Sequence, residues 1–264
     1  MKTAKISKTG LFYKVKFDDD SIYKFHESII LKYGLIRKNI EVSLEKLDEI
    51  IKENTYFIAL DKGVNHLGVL RSKKEVELYL KRNFEDDVVE RVVEKLEELK
   101  LINDYEYANY FVSIMIKKGF GKNKIINELQ RYEVPNDFIM EALSQYRQED
   151  LVENCEKNFN KYLSSLKKDS KQSARTKMYN YLISKGFSNE IITIVIEKNS
   201  ETLDNIVDED KLLIDAYKKL LRTKKTNSDD KKFKNKVIRS LTNKGFPLYK
   251  VIKIIEGGFE YDKK

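Results

Sequence analysis

Hydrophobic and polar positions alternate at the start of the chain and, from about residue 54 on, recur at helical spacing. Lys2–Ser7, Leu11–Phe17 and Ile22–Phe25 are short β-prone runs, separated by turn signals at Thr9-Gly10 and Asp18-Asp19-Asp20. Within the second run Leu11, Tyr13, Val15 and Phe17 share one side, and Phe12, Lys14 and Lys16 the other. That alternation predicts a three-stranded meander with one apolar face. A helix over Glu27–Tyr33 gives the face something to pack on, and Ser43 is placed to cap a second helix over Leu44–Lys52.

The helical part repeats itself. LISKGFSNEIITIVI, from Leu182, aligns with LTNKGFPLYKVIKII, from Leu241: a Leu, then Lys-Gly-Phe, then spaced apolar pairs. LQRYEVPNDFIMEAL, from Leu129, is a third copy with Val134 in the Phe position. LKRNFEDDVVERVV, from Leu80, is a fourth, with Phe84 and a turn one residue shorter. Four residues before each Leu stands another apolar side chain: Val76, Ile125, Met178 and Val237. Amphipathic stretches at Tyr56–Leu67, Tyr105–Ile116, Leu151–Leu166 and Lys211–Leu221 precede the four pairs, so each copy holds three helices.

The turns have a physical reading. With Gly186 in the left-handed conformation just past a helix end, Phe187 reaches back to Leu182 in a Schellman cap, and Gly245, Phe246 and Leu241 repeat the arrangement. Asn83, with Phe84 and Tyr79, is expected to do the same. Glu133 stands where glycine is wanted, which predicts a weaker or different cap there. Pro135 and Pro247 mark the first turns of the helices that follow. The expected architecture is mainly α: tandem three-helix, helix-turn-helix-like repeats in an elongated array, behind a small N-terminal β-meander plus helix. The boundaries read as 1–54 for the β-segment and its helices, then repeats over 55–102, 103–147, 148–200 and 208–258. Lys167–Arg175 and Thr223–Lys232, polar and poor in apolar residues, read as hinges.

Composition narrows the chemistry. The chain has 264 residues, 41% hydrophobic and 36% charged, with a net charge of +8. Residues 71–150 carry 14 Lys/Arg against 17 Asp/Glu, whereas residues 151–264 carry 25 against 16, so the excess lies in the C-terminal part and points to a polyanionic partner. No apolar run approaches the length of a membrane span, and the first 20 residues lack the apolar stretch of a signal peptide. Cys155 is the one cysteine and lies on an apolar helix side with Phe159, a packing position. With only His26 and His66 beside it, no zinc-ligand pattern and no nucleophile–histidine pair is legible. KKGFGKNK, Lys117–Lys124, lacks the glycine spacing and the Lys-Ser/Thr ending of a phosphate loop and follows a helix. Asp18–Asp20 reads as a hairpin turn. No catalytic residue, metal or cofactor is expected.

These features together resemble the RecX family of bacterial recombination regulators. The stretches that carry the resemblance run from Arg71 (RSKKEVELYLKRNFEDDVVERVVEKLEELKLINDYEYA), from Lys117 (KKGFGKNKIINELQRYEVPNDFIMEAL) and through the two Lys-Gly-Phe repeats, with Leu101–Ala108 the most specific piece. They cover roughly residues 55–257; the β-segment looks like the extension of longer Gram-positive members. Glu133 and the lean first helix at Tyr56–Leu67 depart from the family pattern. The resemblance implies a cytoplasmic, monomeric, non-catalytic protein of recombination, DNA repair and the SOS response. It implies binding to the RecA filament on single-stranded DNA, with double-stranded DNA a further candidate, so that filament growth, ATP hydrolysis and strand exchange are opposed. No membrane partner is implied.

For phosphate contact the candidates are Lys122, Lys124, Lys171, Arg175, Lys177, Lys231, Lys232, Lys234, Lys236 and Arg239, all at helix starts or hinges. The competing reading is a sequence-nonspecific DNA-binding helical-repeat protein without a recombinase partner. Base-specific readout is disfavoured, because the helices over Asn189–Lys198 and Leu248–Glu256 carry few outward Arg, Asn or Gln.

Overall fold

The structure is a computed structural model that describes residues 1–37, 39–222 and 231–257. Three antiparallel strands, β1 (Thr3–Thr9), β2 (Phe12–Phe17) and β3 (Ile22–His26), lie side by side in that order. Val15, Phe17 and Phe25 point inward, onto Ile29 and Ile30 of α1 (Glu27–Lys32) and Leu47 and Ile50 of α2 (Leu44–His66). Ser43 caps α2 by accepting from Lys46 N. The free edge of β3 is closed by one side chain: His26 N donates to Asn54 Oδ1 at 2.7 Å, and Asn54 Nδ2 donates to Lys24 O at 3.2 Å.

Asn54 also marks a difference from the sequence pattern. A helix ending at Lys52 and another beginning at Tyr56 are expected, yet α2 runs unbroken for 23 residues. Nothing between Lys52 and Tyr56 can stop a helix. Asn54 spends its amide on the strand edge, and Thr55 Oγ1 donates to Ile51 O at 3.1 Å along the same helix.

The rest is helical: α3 (Lys73–Leu80), α4 (Asp86–Glu98), α5 (Asp104–Lys117), α6 (Lys122–Arg131), α7 (Asn136–Leu143), α8 (Gln148–Leu163), α9 (Lys171–Ser184), α10 (Asn189–Lys198), the short α11 (Ser200–Asn205), α12 (Glu209–Arg222), α13 (Lys231–Thr242) and α14 (Leu248–Ile255). The protein is therefore mainly α, with tandem three-helix repeats behind a small β-sheet. Two compact units form: Met1–Tyr110 with Leu129–Ile139, and Phe111–Glu128 with the chain from Met140 on.

In the first unit Ala59 of α2, Val76 and Leu80 of α3, and Val88, Val89, Val92, Val93 and Leu96 of α4 form one core. In the second, α8, α9 and α10 pack together and bury Cys155, Phe159, Met178, Leu182, Phe187 and Ile192. Burial pushes the Cys155 thiol up to about 12, so it is a packing group. Leu213, Val237, Leu241, Phe246, Val251 and Ile254 make the core of α12–α14.

The turns follow local chemistry closely. Gly186 and Gly245 have φ of 89° and 85°. Phe187 N donates to Leu182 O at 3.3 Å and Gly186 N to Ile183 O at 2.8 Å; Phe246 and Gly245 do the same to Leu241 and Thr242. These are the two hydrogen bonds of a Schellman cap. At Glu133, with φ 57°, the same pair of bonds forms, from Glu133 N to Gln130 O and from Val134 N to Leu129 O, so the cap is not different in kind. The Glu133 side chain swings outward to Lys74 Nζ at 2.7 Å, which offsets part of the roughly 1–2 kcal/mol that a left-handed non-glycine residue costs. Asn83, by contrast, is not among the left-handed residues, and Phe84 N bonds to Leu80 O. With one residue fewer, the turn closes instead on Leu80 O alone, which accepts from both Asn83 N at 3.0 Å and Phe84 N at 3.1 Å. Gly119 and Phe120 form a further Schellman cap on Ile116 and Met115, which accounts for the loop-like KKGF sequence. Pro247 sits at the N-cap of α14, one position earlier than expected.

The segment Lys167–Arg175 is not a hinge along its length. Leu166 is buried, Ser170 caps α9, and Lys171–Arg175 is its first turn. Most of the second expected hinge, 223–230, lies outside the described residues, as does residue 258 at the end of the last repeat.

Candidate nucleic-acid interface

The middle helix of each repeat begins with lysine: Lys73, Lys122, Lys171 and Lys231. A cation there opposes the helix dipole, whose positive end it shares, so the position asks for an explanation. For the first three, part of it is where the helix start sits.

In the second unit the start of α6 lies against the turn between α9 and α10. Gly121 N donates to Lys185 O at 2.9 Å and Asn123 N to Gly186 O at 3.0 Å. A Cβ on Gly186 would fall inside the backbone of Lys124, and one on Gly121 inside the backbone of Gly186. The start of α9 lies in the same way against the turn between α13 and α14: Ser170 Oγ donates to Lys244 O at 2.8 Å, and a Cβ on Gly245 would stand 2.6 Å from Ser170 Oγ. In the first unit Lys74, in the first turn of α3, pairs with Glu133 of the following turn. Donors at a helix start thus meet acceptors of the next turn: backbone N–H groups at α6, the capping serine hydroxyl at α9 and a lysine ammonium at α3. This explains why glycine recurs in the turns: it supplies positive φ and also room for the neighbouring backbone. The turn at Asn83 has no preceding three-helix repeat to receive, and it has no glycine.

Acidic residues reinforce two of these junctions. Lys73 N donates to Asp104 Oδ1 at 2.8 Å, and Lys171 N to Glu209 Oε1 at 3.2 Å; Asp104 and Glu209 each open the next repeat's first helix. Burial raises the Asp104 carboxyl above the usual range. Glu209 is 6% exposed and with Asp210 grips Lys250 at 2.9 and 2.8 Å, holding that ammonium above its ordinary range although burial works the other way.

The candidate phosphate ligands divide into four groups. Arg175 is engaged: Nε and Nη2 donate to both carboxylate oxygens of Asp204, at 3.1 and 2.7 Å. Lys177 reaches Asp169 at 2.5 Å and Lys124 reaches Glu128 at 3.2 Å, contacts that exposed lysines can exchange for a phosphate. Lys122 and Lys171 flank the junctions just described. Lys231, Lys232, Lys234, Lys236 and Arg239 all lie exposed on α13, whose buried residues are Val237 and Leu241. That helix carries no acidic residue.

A cleft of about 580 Å³ adjoins the junction of α9 with the last turn. Its lysines are Lys168, Lys177, Lys219 and Lys244, against Asp169 and Asp215. Sequence reasoning did not single out Lys219 or Lys244; the signal for Lys244 was the lysine that precedes glycine in Lys118-Gly119, Lys185-Gly186 and Lys244-Gly245 alike.

The molecule is thus of the helical-repeat class, with basic helix starts at successive junctions. Residues 148–196 match the family model for the third three-helix domain of RecX. A regulatory protein RecX of Listeria monocytogenes serotype 4b (strain CLIP80459) is 27% identical over 237 residues, 89% of this chain and 87% of its own. One of Oceanobacillus iheyensis is 29% identical, covering 85% of this chain and 83% of its own. One of Leuconostoc mesenteroides is 29% identical, covering 91% and 90%. A crystal structure of regulatory protein RecX shares the fold at a TM-score of 0.62 and 22% identity, over 74% of this chain and 98% of that one. The chain thus matches the model of one RecX three-helix domain and is similar to regulatory proteins RecX along most of its length.

Proposed function

We propose that this protein regulates recombination by binding the RecA filament on single-stranded DNA and opposing its growth, ATP hydrolysis and strand exchange. The observation that carries this reading is the relationship to regulatory proteins named RecX, which extends over 89% of the chain. The repeats, at 55–102, 103–147, 148–200 and 208–258, act as small modules that each make a weak contact and gain strength by acting together on one polymer. The lysines of α13 and of the Lys168–Lys177–Lys219–Lys244 cleft meet DNA phosphates, and the remaining surface meets the recombinase. The protein works without catalytic chemistry of its own, as a monomer in the cytoplasm. No described helix is long and apolar enough to cross a membrane.

The test is DNA-stimulated ATP hydrolysis by RecA. Substoichiometric protein is expected to slow it, and unchanged hydrolysis at equimolar protein rejects the reading. If DNA binding persists while hydrolysis is untouched, the alternative holds: a sequence-nonspecific DNA-binding repeat protein without a recombinase partner.

A further inference from the structure

The N-terminal sheet uses one face for its core and leaves the other with an uncommon arrangement of charge. Lys5 of β1 pairs opposite Lys16 of β2, and Lys14 of β2 opposite Lys24 of β3. Four lysines therefore share one face of three adjacent strands, on backbones about 5 Å apart across the strands and at positions about 7 Å apart along β2. Like charges placed directly opposite oppose sheet formation. Asp20 answers Lys16 at 2.5 Å, from the turn at one end. Lys5, Lys14 and Lys24 have no carboxylate partner among the described residues, and all three are exposed. The other strand positions on this face are Ser7, Thr9, Phe12, Ile22 and His26, so no strand residue of the face is acidic; His26, buried at the Phe12 end, meets Asp61 of α2 at 2.8 Å. Phe12 stands at the end of the lysine row, half-buried, with Lys24 Nζ 4.3 Å from its ring centre.

We propose that this face is a second nucleic-acid contact, taking the sugar-phosphate backbone of a single strand. A regular row of cations on a flat sheet matches a regular row of phosphates, and an aromatic ring beside the cations favours an unstacked base over a duplex. The repulsion between the lysine pairs is relieved when phosphates bind, which couples the contact to the sheet's own electrostatics. The proposal does not rest on a recombinase partner, and naked oligonucleotide suffices to test it.

The experiment is fluorescence anisotropy of a labelled oligothymidylate with the full chain, over a series of salt concentrations. Replacing Lys5, Lys14 and Lys24 together by glutamine is expected to weaken binding about tenfold or more at low salt and to flatten the slope of log K against log salt by about 2. Lys14→Glu separates this from a folding role. It places an acid opposite Lys24 and is expected to weaken binding while leaving the melting temperature unchanged or raised. Unchanged affinity and slope in the triple variant would overturn the proposal. So would a lowered melting temperature for Lys14→Glu, or a binding change seen only with duplex of the same length or with anionic lipid vesicles.

Discussion

Gly186→Ala is expected to lower stability by about 3 kcal/mol, and Gly10→Ala by about 1 kcal/mol, although both glycines have positive φ, at 89° and 65°. At Gly10 nothing lies within 4 Å of the added methyl. The cost there is the strained backbone, about 1–2 kcal/mol, less the few tenths returned because alanine leaves the unfolded chain less freedom. At Gly186 the same strain is joined by a methyl driven into the backbone of Lys124, and overpacking of that kind adds about 1–3 kcal/mol. The start of α6 must then withdraw, and the hydrogen bonds from Gly121 and Asn123 go with it. Urea midpoints followed by circular dichroism measure the difference. Equal costs at the two positions would mean that the backbone approach is not tight.

Substituting Lys231, Lys234, Lys236 and Arg239 together by glutamine is expected to leave the fold intact and to remove a large part of the DNA affinity. All four side chains are exposed, and glutamine propagates a helix about as well as lysine or arginine. Each phosphate contact on a single strand contributes about 0.7 to the salt slope, so the variant's slope is shallower by about 3. A fourfold rise in salt then weakens the variant about 50-fold less than the parent. Slowing of RecA ATP hydrolysis is expected to fall in step if these lysines hold the protein on DNA within the filament. An unaltered slope would place the DNA contact elsewhere on the molecule.

Local chemistry was legible in the sequence where a feature involves residues near one another. The meander, Ser43 as a cap and the turns at Gly186 and Gly245 each depend on a handful of consecutive positions. The failures have physical causes of two kinds. The helices expected over Leu44–Lys52 and from Tyr56 are one helix, and Asn54 between them gives its amide to β3, about 30 residues earlier. Glu133 looked wrong for its turn because its partner, Lys74, lies 59 residues away. The candidate site fared similarly. The basic character of α13 can be read directly, whereas the capture of Arg175 by Asp204 and the gathering of Lys168, Lys219 and Lys244 around one cleft depend on tertiary packing. The lysine rows on the sheet depend on strand register, which alternation alone leaves open.

The claim on which the account rests is that the middle helices α6 and α9 are each seated on the turn of the repeat that follows. Amide hydrogen exchange read residue by residue in Gly186→Ala and in Gly245→Ala tests it directly. Gly186→Ala should speed exchange at Gly121 and Asn123, more than 60 positions earlier in the chain, and Gly245→Ala at Ser173 in the first turn of α9. Faster exchange confined to the mutated turns themselves, with those distant amides unchanged, would contradict it.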